Sequence, residues 1–194
     1  MFLQNILNEQ LSGDTIGQMS QTLGADESAV GNAIQAALPM LIGALARNSA
    51  NEEGANSLHT ALSNDHDGGI LDNILGVIAG GGTDSSAGIL GHIFGGRQQS
   101  VEQGISQSSG LDAATVARLL MMLAPIVMGA LGKTQRQQGL DAQGVAGLLD
   151  QERQQQESSS PLMGMLGQLL DRDHDGSAVD DIFGMVGGLL KNRG

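Results

Sequence analysis

Asp171, Asp173 and Asp175 stand two residues apart, and Gly176 follows the last of them. Carboxylates at loop positions 1, 3 and 5 with glycine at 6 form the first half of a calcium-binding loop. The hard cation takes about six to eight oxygens, and the glycine permits the sharp turn that points them inward. Ser177, next in line, offers its backbone carbonyl. Where an EF-hand closes its shell with a bidentate glutamate, this chain has Ile182, so Asp180 or Asp181 must supply the last oxygens. The stretch 171–182 therefore reads as a Ca2+ site of the wider Asp-x-Asp-x-Asp-Gly kind. The plainer reading is an acidic solvated turn, but that turn would crowd like charges with nothing to offset them.

A weaker version lies earlier, in Asp65-His66-Asp67-Gly68-Gly69-Ile70-Leu71-Asp72. Asp65, Asp67 and Asp72 are its candidate ligands, but Ser63 stands where the first acid belongs and Asn73 where the adjacent acid belongs. A capped turn explains it equally well. The histidines are His59, His66, His92 and His174, and no pair has zinc spacing with a third ligand nearby. His66 and His174 hold the loop position that points to solvent. His92 reads as a core or interface group, and His59 has no evident partner. There is no Gly-x-Ser-x-Gly, no phosphate loop and no nucleophile–base pair. The expectation is that the protein is not an enzyme.

Charge and composition narrow the partners. The net charge is −12 and cysteine is absent, so disulfides and thiolate metal sites are excluded. Among the first 96 residues Arg47 is the single Lys or Arg, against ten acids. Nucleic acids and anionic membrane surfaces need cationic contacts, which this balance withholds. Divalent cations suit it. The N-terminus lacks a basic segment and a long apolar core, and no apolar run reads as long enough for a membrane span, so a cytoplasmic location is the default expectation.

The elements that must position these loops are helical. Asp26 to Leu45 recurs 86 positions later as Asp112 to Leu131, with Val30/Val116, Pro39/Pro125 and two Gly-Ala-Leu endings in register. Val30, Ile34, Leu38, Leu41 and Leu45 keep one apolar stripe, as do Val116, Leu120, Ala124, Val127 and Leu131. Asp26 and Asp112 read as N-caps. A proline deep in a helix costs about 3 kcal/mol, which predicts a kink or break at Pro39 and Pro125. Glycines four residues later would let another backbone approach there.

Around this pair the pattern predicts helices over 2–11, from Asp14 as N-cap to Leu23, over 52–62, 70–79, 89–96, 98–108 and 141–150. Gly80 to Ser86 reads as a break, and the polar, low-complexity stretch 151–160 as a linker or a frayed helix end. The fold class is all-α: a multi-helical Gly/Ala-rich bundle with an internal duplication, over 1–150 in two halves of about 1–84 and 85–150. A helix–loop–helix over 161–194 would carry the acidic loop.

The segments GADESAVGNAIQAALPMLIGALARNSANEEGANSLHTALSNDHDGGILDNI (24–74), GILGHIFG (88–95), SGLDAATVARLLMMLAPIVMGALGK (109–133) and DRDHDGSAVDDI (171–182) resemble the bacterial domain-of-unknown-function family 937. That resemblance implies no activity and carries over no site residues. The functional expectation is a non-enzymatic, calcium-binding structural or protein-interaction module that self-associates into a homo-oligomer. Apolar segments such as Ile74 to Ala79 exceed what a short surface helix requires, and exposed apolar surface marks a partner site. One alternative is an amphipathic membrane-active protein, although the charge disfavours it. The other is a regulator using helix-turn-helix-like pairs at 17–30 and 105–116, which lead with Asp26 and Glu27 in one case and offer only Arg118 in the other.

Overall fold

The computed structural model describes residues 2–80 and 84–159. Its helices are α1 (Phe2–Gln10), α2 (Gly13–Leu23), α3 (Glu27–Asn48), α4 (Glu52–Asn64), α5 (Ile74–Ala79), α6 (Asp84–Phe94), α7 (Gln98–Ser109), α8 (Ala113–Gln138) and α9 (Ala142–Ser159). A 3-10 turn, Gly69–Asn73, leads into α5, and a second one, Gly95–Arg97, joins α6 to α7. The fold is all-α, with no strand among the described residues. The chain divides into two compact units, Met1–Arg153 and Gln154–Gly194. The first holds the core described below, and the described part of the second is the end of α9.

The first unit is built around α8. Every residue from Met122 to Gly132 is buried, so this helix is surrounded rather than laid on a surface. It packs against each of α1 to α7 and against the Gly69–Asn73 turn. A helix apolar on all sides has to be covered on all sides. The covering comes from Leu3, Ile6 and Leu7 of α1, Met19 of α2, Leu41 and Ile42 of α3, Leu62 of α4, Ile78 of α5, Leu90 and Ile93 of α6 and Ile105 of α7, all buried in one cluster.

Both prolines sit inside unbroken helices. The expected break does not occur. Each proline forfeits one hydrogen bond at a cost of about 3 kcal/mol. Against it, α8 buries Val116, Leu119, Leu120, Leu123, Ile126, Val127 and Leu131, at about 1.5–3 kcal/mol each. Burial wins. In α3, Pro39 lies on the exposed side, while Val30, Ile34, Leu41 and Leu45 turn inward as the period requires and Leu38 is only partly buried.

The start signals are confirmed in atomic detail for the two long helices. Gly24 and Gly110 take left-handed backbones, φ 66° and 80°, which turn the chain out of the preceding helix. Asp26 then accepts from the Ser28 and Ala29 N–H groups at 3.0 and 3.1 Å. Asp112 accepts from Thr115 N–H at 3.0 Å and from its hydroxyl at 2.6 Å. The Ser28 and Thr115 hydroxyls are the main reason that these two carboxyls titrate below their ordinary range, with the backbone N–H bonds adding to it. At α2 the cap is Ser12 rather than Asp14, which sits in the first turn as an acid facing the helix dipole.

Other boundaries shift for physical reasons. The helix expected over 70–79 is split into the 3-10 turn and the short α5. α6 begins at Asp84, inside the stretch expected as a break. The polar stretch over 151–160, read as a linker or a frayed helix end, continues α9 as helix through Ser159, since Gln, Glu and Arg are good helix formers. Two helices, α3 and α8, are long and apolar enough to cross a membrane by length and composition, contrary to the expectation that none would be. The sparse polar residues interrupt the apolar runs without lowering the average enough. In this fold 56% and 72% of those windows are buried inside the protein.

Glycine sets how closely the elements approach. A Cβ on Gly132 would collide with the His66 carbonyl, and one on Gly54 would collide with the Asn48 carbonyl. By contrast, a Cβ on Gly31, in mid α3, meets nothing within 4 Å. Gly132→Ala and Gly54→Ala should each destabilise the protein by on the order of 3 kcal/mol, because a backbone cannot yield as a side chain can. Gly31→Ala should stabilise it by up to about 1 kcal/mol. Urea unfolding of the three variants checks this, and equal stability of Gly132→Ala and wild type would refute the close approach.

Candidate binding groove

An open groove of about 750 Å³ lies between the end of α3, the length of α4, the second half of α6 and Met128 of α8. Its floor is aliphatic: Leu45, Leu58, Ala61, Ile89, Ile93 and Met128. Arg47, Asp65, His66 and His92 bring charge and hydrogen-bonding capacity to its edges. Volumes of this order, with an apolar floor and a few polar groups, are those of ligand and partner sites.

Two contacts far apart in sequence make the groove. The Asn48 amide donates to the carbonyls of His92 and Ile93 at 2.9 and 3.0 Å, tying the end of α3 to the last turn of α6. Those carbonyls are orphans of a helix terminus, and an amide donor satisfies both. Asn51 then caps α4, accepting from Gly54 N–H at 2.8 Å. The bare Gly54 lets α4 start against the Asn48 carbonyl, and so fixes the wall.

The acidic turn between α4 and α5 is tied to α8. Asp67 pairs with Arg136 of α8 at 2.6 Å, and its other oxygen accepts from Gly69 N–H at 2.9 Å. Arg136 also donates to the Asp67 carbonyl. Asp65 lies on the groove edge, and Asp72 is exposed on the 3-10 turn. Among the described residues no three His, Asp or Glu side chains come together as a metal centre requires. Asp65, Asp67 and Asp72 are not gathered into one. The turn instead closes over α8, where a Cβ on Gly129 would strike the Ile70 side chain. The glycine four residues after Pro125 thus admits a side chain, while the backbone approach falls at Gly132.

The C-terminal loop residues Asp171, Asp173, Asp175, Ser177, Asp180 and Asp181 lie outside the described residues, as does His174. His66, expected to face solvent, is half-buried on the groove edge. Burial pushes its imidazole below the ordinary value near 6.5, with the Asp65 carboxylate opposing that shift. His92, read as a core or interface group, is not in the core: it is exposed on the opposite wall. Arg118, the base of the second helix-turn-helix-like pair, donates to the Thr22 carbonyl at the end of α2 at 3.2 Å. Arg47 and Asn48 carried no signal in the sequence beyond the scarcity of bases.

Fold and groove together define an all-α helical domain with a lined, open concavity. A family model described as "Bacterial protein of unknown function (DUF937)" matches residues 5–134, and the chain belongs to that family. The matched region contains every residue of the groove. Neither a curated protein nor a solved structure matches the chain.

The buried position of His66 has a measurable consequence. Its folded-state pKa lies below the unfolded value, so the unfolded chain takes up protons first as pH falls. The contribution to stability is complete above about pH 6.5 and is lost below it until the folded protein also protonates. Urea unfolding between about pH 8 and 5 should show this decline, and His66→Gln should flatten it. An unchanged slope in the variant would remove His66 from the account.

Proposed function

We propose that the protein is a non-enzymatic interaction module that associates with copies of itself and holds calcium in its 171–182 loop. The groove carries the first part of this reading. An aliphatic floor open to the surface, framed by polar edges, is what a protein partner covers. The acidic balance of the chain and the spacing of Asp171, Asp173 and Asp175 before Gly176 support the second part. Cation binding there would relieve repulsion among carboxylates that have no other source of positive charge within the loop beyond Arg172 and His174.

Two measurements test the two parts separately. Calorimetric titration of the purified chain should show saturable calcium binding that Asp173→Asn with Asp175→Asn abolishes. Absence of heat and of binding would reduce the loop to an acidic turn. Light scattering over a concentration series should show mass rising with concentration. A monomer at every concentration, with and without calcium, would end the self-association reading.

A further inference from the structure

The same chain carries an exposed apolar side chain and an exposed acid whose chemistry suits the groove. Ile74 and Ile78 of α5 are buried, which anchors that short helix to α2 and α8. Leu75 is left outside at 59% exposure, the most exposed large hydrophobic side chain among the described residues. Asp72 and Ala79, at i−3 and i+4 from it, are exposed as well. Ala79 shares the Leu75 face of α5, whereas Asp72 belongs to the 3-10 turn before it, across the non-helical backbone of Asn73. The outer face of α5 is therefore a leucine knob beside a small residue, with an exposed carboxylate on the turn that leads into it.

The groove has the complementary polarity. Arg47 and Asn51 stand at the start of α4, and Asp65 and His66 at its end. At 1.5 Å per residue those ends are roughly 20 Å apart. Among the described residues Arg47 has no carboxylate partner, and neither does Asp72 a cationic one. α5 itself, Ile74–Ala79, is roughly 9 Å long, about half the groove. Seated with Asp72 toward Arg47, the knob keeps its carboxylate away from Asp65, whereas the reverse seating sets two acids together. α5 lines no part of its own groove, so the contact has to be made with another copy.

We propose that these copies associate head to tail, with Leu75 of one chain seated on Leu58 and Ile89 of the next and Asp72 facing Arg47. This rests on the self-association reading above and assigns its two faces. Because knob and groove are different surfaces, the contact is heterologous and adds copies rather than stopping at two, unless a ring closes. One short helix in a groove buries less than a stable dimer needs, so the association is concentration-dependent.

Sedimentation velocity of the full chain tests it. Wild type should form species larger than a dimer as concentration rises. Leu75→Asp and Leu58→Asp should each weaken association roughly ten- to hundredfold. An equimolar mixture of the two should give a one-to-one dimer and nothing larger, since one intact knob and one intact groove remain. Leu58 is partly buried, so a charge swap that spares the core is run beside it. Arg47→Glu and Asp72→Arg should each weaken association, and the two changes in one chain should restore it. If wild type associates but Leu75→Asp and the charge swap leave it unchanged, the knob assignment is overturned while self-association stands. A wild type that stays monomeric overturns the reading beneath it.

Discussion

The burial of α8 on every side is the constraint from which the rest of this structure follows. A helix with apolar side chains around its whole circumference cannot rest on a surface, and seven shorter helices are recruited to cover it. That demand outweighs the lost hydrogen bond at Pro125 and keeps the helix continuous. It also explains why most of the covering helices are short. Apart from the long α3, each has only to present a few aliphatic side chains to the centre, as Leu3, Ile6 and Leu7 do from α1, and Ile74 and Ile78 from α5.

With few aromatic residues to fill space, the packing relies on close approach. Gly132 lets the loop backbone at His66 press on α8, and Gly54 lets α4 start against the end of α3. The acidic turn is held in the same way. Its Asp67 meets Arg136 of α8, an exposed pair whose own energy is small. Its role is positional: it fixes where the turn crosses the helix, and with it where α5 begins. The position of α5 descends from that crossing.

The groove itself is what remains when α4 and α6 cover α8 without meeting each other along their length. Asn48 holds the end of α3 to the end of α6, and Met128 is left as the floor between them. Its charges are few because the chain has few bases to place. Arg47 stands out in the first half of the sequence for that reason, and the fold sets it at the edge of the largest aliphatic concavity described here.

Much of this was legible without coordinates. The period of Val30, Ile34, Leu41 and Leu45 dictates their shared face, because a helix returns to one side every 3.6 residues. Asp26 and Asp112 after glycines dictate the helix starts, since a short carboxylate reaches the free N–H groups of the first turn. The helical period of the apolar residues determined the all-α class. Local chemistry could not say that Asp67 would meet Arg136, because the two are 69 residues apart. Nor could it separate Gly132, where a backbone must pass, from Gly31, where nothing does. It placed His66 toward solvent, and the packing half-buries it; it could not say which surface His92 would reach, and the packing leaves it exposed on a groove wall. Side-chain period and capping act within a few residues and are written in the sequence, whereas a groove, an ion pair and a close approach exist only where distant segments meet, and that was decided by how the covering helices close over α8.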